Sequence, residues 1–277
     1  MRLSAVMLVF KEQAFVEASI RAIYPVVDSI CCATRQDRNF FNEPVTPDRT
    51  VEKILSIPDP DNKIRLVMQR DLRDLPGINA AAQLRNAAIR LDPEADYHLI
   101  VDSDEIWPRA TLEKAWAQVQ AQKYAGFRIS STCFFGKWNY RVVEPPPGVR
   151  PLAFLRKGFW FENDRQVDWR SAARWKEYLR TGRKPKMVYF PPEWVMYHGS
   201  GVGDDNRIKT KIQNWDHRDG VDPEWFEKVW KNFGPESKNF HYFRDGKGLY
   251  QGVEEIPTAD LPEEIRLREW PEGWIQR

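Results

Sequence analysis

The stretch that decides the fold is ADYHLIVDSDEIWPRATLEKAW, residues 95–116. Its apolar run, residues 99–101, ends in three carboxylates within four residues: Asp102, Asp104 and Glu105. Like charges this close repel one another, and their ionised forms are costly wherever water is scarce. The cluster therefore either lies in open water or binds something positive.

Length and composition limit the classes of protein. The chain has 277 residues, 42% of them hydrophobic, which suits one large domain or one domain with an appended piece. A charged fraction of 30% and a mean hydropathy of −0.62 exclude an integral membrane protein, so membrane contact is at most peripheral. The net charge of +2 gives no case for nucleic acid as a partner.

The three cysteines are Cys31, Cys32 and Cys133. They form neither an even disulfide framework nor a metal-binding CxxC spacing. This usage predicts a reducing, cytoplasmic location.

The first 124 residues alternate between the strand period and the helix period. The predicted strands are 3–10, 26–34, 63–69 and 97–101, and the predicted helices are 12–25, 47–57, 78–91 and 109–122. Such alternation predicts an α/β fold, in which a mostly parallel sheet is flanked by helices on both faces. Ligands in these sheets bind outside the carboxyl ends of the strands, where the acidic cluster falls.

After residue 125 the pattern changes to long aromatic strands that suggest antiparallel pairing. Strands are predicted at 125–143, 151–161 and 186–201, the last ending in a Gly-rich turn, followed by a helix at 203–220 and a hairpin at 242–253. We expect one domain over 1–200, with halves 1–124 and 125–200. Residues 201–277 are expected to form an α+β extension packed on it.

The Asp102-Ser103-Asp104 stretch has the chemistry of a cation site. Two carboxylates two residues apart, beyond a strand end, can converge on one divalent cation, and hard oxygen ligands suit Mg²⁺ or Mn²⁺. The alternative is a solvated acidic turn. The buried strand before the cluster, the helix after it and the arginine-bearing helix upstream favour the cation.

Residues 78–115, INAAAQLRNAAIRLDPEADYHLIVDSDEIWPRATLEKA, resemble the core of nucleotide-sugar glycosyltransferases of the GT-A fold, especially the family-2-like group. In that family a helix with an Arg-Asn pair, here Arg85-Asn86, leads into a strand that ends in D-x-D. The opening residues 4–37 resemble the family's first strand, helix and second strand. They depart from it in Phe10-Lys11-Glu12, where Tyr-Asn-Glu is usual, and in CATRQDRN, which replaces the usual acidic strand end.

The resemblance covers residues 3–120 and continues more weakly to about residue 217, where the segments FLRKGFWFENDRQVDW and YFPPEWVMYHGSGVGDDNRIKTKIQNW are similar to lipopolysaccharide-core-type members. It implies that His198 joins Asp102 and Asp104 in the metal site, with His217 as a second candidate. An ordinary histidine at a strand end is the alternative for His198. Glu105 is expected to support the loop rather than to bind metal.

The resemblance implies transfer of a sugar from a nucleotide-diphosphate sugar to a glycan or lipid-linked acceptor, with Mn²⁺ or Mg²⁺ and with inversion. Residues 1–124 then hold the donor and residues 125–200 the acceptor. The donor residues that it implies are Phe10, Glu12, Asp37, Arg85, Asp102 and Ser103. Lys209 is a further candidate, because the basic residues of the predicted helix, Arg207, Lys209, Lys211 and Arg218, could reach the diphosphate; an ordinary solvated face is the alternative. Inversion needs a general base, for which Asp168 stands near the matching position, with Asp164 and Glu162 as alternatives. Asp168 alternatively pairs with Arg165 or Arg170.

Two other functions stay open at this point. A Mg²⁺-dependent nucleotidyltransferase also joins an α/β sheet to paired carboxylates, but it is expected to carry a Gly-rich loop after the first strand. Residues 10–15, FKEQAF, contain no glycine. The other alternative is a non-catalytic carbohydrate-binding or sugar-nucleotide-binding protein with a decayed site.

Overall fold

The structure is a computed structural model. It describes residues 1–69, 79–145, 148–167, 175–176, 178–179, 182, 185–214, 217–244 and 249–276. The strands within this part are β1 Leu3–Val9, β2 Ser29–Thr34, β3 Ile64–Met68, β4 Tyr97–Asp102, β5 Glu105–Ile106, β6 Gly126–Arg128, β7 Ser130–Val143, β8 Leu152–Arg156, β9 Phe161–Asn163, β10 Gln166–Val167, β11 Met187–Tyr189, β12 Val195–Val202 and β13 Gly252–Glu255. The α-helices are α1 Val16–Ile23, α2 Thr50–Ser56, α3 Ala80–Ile89, α4 Arg109–Gln122, α5 Asp205–Asn214, α6 Trp225–Lys228 and α7 Glu263–Arg266.

The central sheet has the strand order β11-β6-β8-β4-β1-β2-β3. Strands β1, β2, β3 and β4 pair in parallel, as do β6 and β11, whereas β8 runs antiparallel between β4 and β6. The predicted α/β class with a mostly parallel sheet is therefore confirmed. The chain passes from β1 outward to β3 and then returns to place β4 on the other side of β1, so the strand order reverses between β1 and β4.

The continuous apolar runs are buried because helices cover both faces of this sheet. Leu3, Ala5 and Met7 of β1 face a core shared with α1, α2 and α4, whereas Val6 faces α3 on the other side. This alternation is the period of two that a strand imposes on its side chains.

The predicted helices occur with shifted ends. Helix α4 has the predicted bounds 109–122. The helix predicted at 12–25 begins only at Val16, because residues 12–15 form a turn in which the Phe15 and Val16 amides donate to the Glu12 carbonyl. Helix α3 begins after Asn79, whose Oδ1 accepts from the Ala82 amide at 2.9 Å and so caps the helix.

A second sheet with the order β13-β7-β12-β5 joins the C-terminal part to the rest. The predicted hairpin of 242–253 is wrong in its pairing: Phe243 bridges Val221, and β13 pairs antiparallel with the end of β7. Residues 245–248, which carry the predicted Asp-Gly turn, lie outside the described part. The predicted boundary at residue 200 falls within β12.

The glycines of HGSG, residues 198–201, lie in β12 rather than in the predicted turn. A Cβ at Gly199 would stand 2.5 Å from Phe15 Cε1, and one at Gly201 would stand 2.4 Å from Phe135 Cδ2. These glycines therefore let aromatic rings pack directly on the backbone beside His198.

In the part of the chain that the structure describes, no helix combines the length and the apolar character needed to cross a bilayer. Cys31, Cys32 and Cys133 are free and buried.

The buried His98 of β4 makes the stability of the fold sensitive to acid. Burial lowers the pKa of His98 to about 4, and its Nδ1 has no hydrogen-bond partner in the described part of the chain. Since the folded pKa lies below the unfolded value, the unfolded state binds more protons as the pH falls from 6.5 towards 4. Relative to the His98→Gln variant, the wild type is expected to lose about 2–3 kcal/mol of unfolding free energy between pH 7 and pH 4.5. Urea denaturation of both proteins across that range measures this, and parallel pH profiles would contradict it.

Candidate functional site

A cavity of about 240 Å³ opens where the strand order reverses, at the carboxyl ends of β1 and β4. Its wall is completed by β12 and α5 from the second half of the chain. The charged side chains that line it are Lys11, Glu12, Arg85, Asp102, Asp104, Glu105, Asp164, Arg165, His198, Arg207 and Lys211. Acidic and basic groups are thus interleaved in one partly enclosed space.

Asp102 is held by two arginines. Its Oδ1 accepts from Arg85 Nη2 at 2.7 Å, and its Oδ2 lies 3.1 Å from Arg165 Nη2. Arg85 also donates to Asp164 Oδ1 at 2.9 Å. Burial by itself raises the pKa of Asp102, but the charges of Arg165 and Arg85 outweigh it and lower that pKa.

Glu105 supports the acidic turn, as its expected role requires. Its Oε2 accepts from the Asp102 amide at 3.0 Å, while its Oε1 pairs with Arg165. Burial raises the pKa of Glu105 although Arg165 opposes the shift. Arg165 is therefore the shared counter-ion of two buried or partly buried carboxylates.

Asp104 has a different set of partners. Its Oδ1 lies 3.5 Å from His198 Nε2, and its Oδ2 pairs with Lys211 Nζ and lies 3.6 Å from Arg207 Nη2. Burial would raise the pKa of Asp104, but Lys211, followed by His198 and Arg207, holds it well below its ordinary value. The two aspartates of D-x-D thus belong to two separate ion-pair networks.

Arg207 is fixed on several sides. It forms a bidentate pair with Glu12 at 2.9–3.1 Å and donates to the carbonyls of Ser200 and Val202. Its guanidinium lies over the ring of Phe15, 4.3 Å from the centroid, and 5.8 Å from the ring of Trp274.

His198 lies between the cavity and the second sheet. Nε2 faces Asp104, and Nδ1 lies 4.0 Å from Cys133 Sγ. Burial would lower the pKa of His198, but the Asp104 carboxylate holds it well above its ordinary value, which favours the imidazolium.

Of the three predicted metal ligands, the structure brings Asp104 and His198 together and turns Asp102 towards the arginines. Within the described residues there is no group of three or more His, Cys, Asp and Glu side chains able to hold a metal ion. Asp104 Oδ1 and His198 Nε2 lie 3.5 Å apart at the cavity, and once the imidazolium has lost its proton they fit a divalent cation whose other ligands come from a bound molecule.

The other predicted residues are distributed as follows. Phe10 and Ser103 line the cavity, as do Glu12 and Asp164. Asp37 instead lines a separate cavity of about 100 Å³ at the ends of β2 and β3. Asp168 lies outside the described residues.

Lys209 is exposed and does not line the cavity; its Nζ lies 5.8 Å from the Phe226 ring centroid. The positively charged side chains of α5 that line the cavity are instead those of Arg207 and Lys211. They stand four residues apart on the helix and therefore share a face, whereas a residue midway between them does not. This spacing is the signal in the sequence that distinguishes them.

Comparisons with known proteins add only a distant likeness. The sequence matches no protein-family model, and it matches none of the curated proteins. Among solved structures, S. aureus TarS 1-349 is similar with 14% identity and a TM-score of 0.42, over 78% of this chain and 66% of that one. Its complex with UDP matches over 50% of this chain and 37% of that one, with 17% identity and a TM-score of 0.34.

Glucosyl-3-phosphoglycerate synthase from Mycobacterium tuberculosis, in complex with Mg²⁺ and uridine diphosphate, is similar with 17% identity and a TM-score of 0.34, over 48% of this chain and 43% of that one. This chain thus spans less than two thirds of each of these solved structures. Identities and TM-scores this low do not identify a function, which has to be inferred from the cavity.

Arg165 is expected to be essential for stability. The Arg165→Met variant leaves Asp102 and Glu105 without their shared counter-ion, which should cost about 3–5 kcal/mol of unfolding free energy. The surface control Arg49→Met, which removes an exposed pair with Glu52, should lower the unfolding free energy far less. Urea denaturation measures both, and equal costs would contradict the importance of the buried network. Adding Glu105→Gln to Arg165→Met should recover part of the loss.

Proposed function

We propose that this protein is a glycosyltransferase that moves a sugar from a nucleotide-diphosphate sugar to a hydroxyl group of a glycan or lipid-linked acceptor. The observation that carries the proposal is the placement of Asp104 and His198 opposite Arg207 and Lys211 in one cavity at the strand-order reversal. Such a set offers ligands for a divalent cation and positive groups for phosphate oxygens in the same space.

Arg85 supports a role in donor binding. It is 1% exposed and lines the cavity, and among the residues that the structure describes its Nε and Nη1 have no hydrogen-bond partner. A buried guanidinium with unmet donors is costly unless something accepts from it. In this proposal the positive charge of Arg85 in the cavity wall attracts the phosphate oxygens of a donor.

In this proposal Asp104 and His198 hold the divalent cation, Mn²⁺ or Mg²⁺. When bound, the cation neutralises charge on the diphosphate leaving group. Arg207 and Lys211 add positive charge from the side of α5, and Glu12 keeps Arg207 oriented. Asp102 orients Arg85 and Arg165 rather than binding the cation.

The division of labour along the chain is also a proposal. Residues 1–124 provide the donor side and residues 125–200 the acceptor side, while the extension 201–277 contributes Arg207, Thr210, Lys211 and Asn214 to the wall. We propose a cytoplasmic location, with which the three free thiols are compatible.

The central test is binding of UDP-sugars in the presence of Mn²⁺ or of EDTA. Binding is measured as a thermal shift of the protein, and slow hydrolysis of the donor is measured as a second readout. We expect stabilisation that requires Mn²⁺ and is lost in Asp104→Asn, because that change removes a charged cation ligand. Asp61→Asn, an exposed carboxylate outside the cavity, serves as the control and should behave like the wild type. Failure of the wild type to bind any member of a panel of UDP-, GDP-, CMP- and dTDP-sugars would refute the proposal.

For the general base we propose Asp168, on the resemblance alone, with Asp164 as the alternative. Asp168→Asn should lower the rate of transfer by about 10²–10⁴-fold and leave donor affinity unchanged, since only proton removal is lost. Asp164→Asn should instead weaken donor binding, because Asp164 orients Arg85. Transfer assays with isothermal titration of UDP separate the two roles; the reverse pattern would assign the base to Asp164.

A further inference from the structure

The charge of Asp104 is already compensated by groups of the chain itself. Asp104 is 3% exposed, with Lys211 on Oδ2 and His198 on the side of Oδ1. Lys211 and Arg207 both lie beside Oδ2 of this carboxylate, so a divalent cation that binds on the side of Oδ1 is repelled by two positive groups. Its binding is therefore favoured when one of these groups moves away.

Lys211 is the group that is able to move. Arg207 is held by Glu12, by two backbone carbonyls and by the ring of Phe15. Within the described residues Lys211, in contrast, pairs with carboxylates alone, namely Asp104 and, at 3.4 Å, Glu12. Its ammonium ends a flexible four-carbon stem, whereas a guanidinium in a bidentate pair has a fixed geometry.

We infer that Lys211 is a tethered counter-ion of Asp104, which a divalent cation displaces and which then pairs with the phosphates of the donor. The inference rests on the proposed function and adds to it a coupling between binding of the divalent cation and binding of the nucleotide. Displacing Lys211 is unfavourable while the cavity holds no anion, and a diphosphate removes that penalty by accepting the ammonium. The cation and the nucleotide therefore strengthen each other's binding, and the coupling is reciprocal.

The test compares Lys211→Met with the wild type and with Lys209→Met, which removes the same charge from the exposed side of the same helix. Mn²⁺ binding without nucleotide is measured by electron paramagnetic resonance. Lys211→Met should bind Mn²⁺ about tenfold more tightly than the wild type, because the competing charge is gone. Lys209→Met should stay within about twofold of the wild type, since its charge is screened by solvent.

The second arm measures UDP affinity at saturating Mn²⁺ by isothermal titration. Here Lys211→Met should bind UDP about tenfold more weakly, because a phosphate contact is lost. The opposite signs of the two effects separate a displaced counter-ion from a residue that only maintains structure, which would weaken both. If Lys211→Met does not fold, as judged by circular dichroism, Lys211→Gln replaces it in both arms.

Unchanged or weaker Mn²⁺ binding by Lys211→Met would overturn the inference, as would an equal gain in Lys209→Met. Both outcomes leave the proposed function intact as long as the wild type binds UDP with Mn²⁺. If the wild type binds no UDP, the proposed function fails and the transfer of Lys211 to phosphate fails with it. Tighter Mn²⁺ binding by Lys211→Met would then support only the competition at Asp104.

Discussion

The structure depends on the compensation of buried negative charge at the end of β4. Asp104 and Glu105 are almost completely buried, and the partly exposed Asp102 lines the cavity with them. Unpaired carboxylates there would oppose folding by several kcal/mol each. The chain meets this requirement with cationic groups from distant segments, so folding of the second half and formation of the acidic turn are mutually dependent.

The compensating groups come from different elements, so each aspartate has its own set of ion-pair partners. Arg85 reaches Asp102 from α3, on one face of the sheet, and Arg165 reaches it from the turn between β9 and β10. Asp104 meets His198 from β12 and Lys211 from α5. Asp102 and Asp104 are close in sequence but have different partners, because the backbone turn between them directs their side chains towards different parts of the cavity wall.

Much of the fold was predictable from the sequence, because a strand that is buried on both faces of a parallel sheet requires a continuous apolar run, such as residues 3–9. Helix α4 and the position of D-x-D at the end of β4 followed from local patterns alone. The pairing of β13 with β7 was not predictable, since it joins strands far apart in the chain and the Asp-Gly dipeptide suggested a local hairpin instead.

Side-chain partners in the cavity were the hardest to predict. Nothing local to Arg165 marks it as the counter-ion of Glu105, because that contact exists only after β9 and β10 have folded against β4. Arg207 and Lys211 were recognisable by their helical spacing, and Lys209 was the wrong member of that basic run to place at the cavity. The separation of Asp102 from Asp104 could not be predicted, since it reflects the geometry of a four-residue turn.

The packing of Trp274 beside Arg207 has a consequence for dynamics. The ring lies in a cluster with Phe15, Trp138 and Trp270, so the C-terminal segment and a wall of the cavity share one group of contacts. Local opening of residues 270–276 removes the ring from the guanidinium and loosens the wall. We therefore expect amide hydrogen exchange in that segment to depend on occupancy of the cavity, although no residue of the segment lines it.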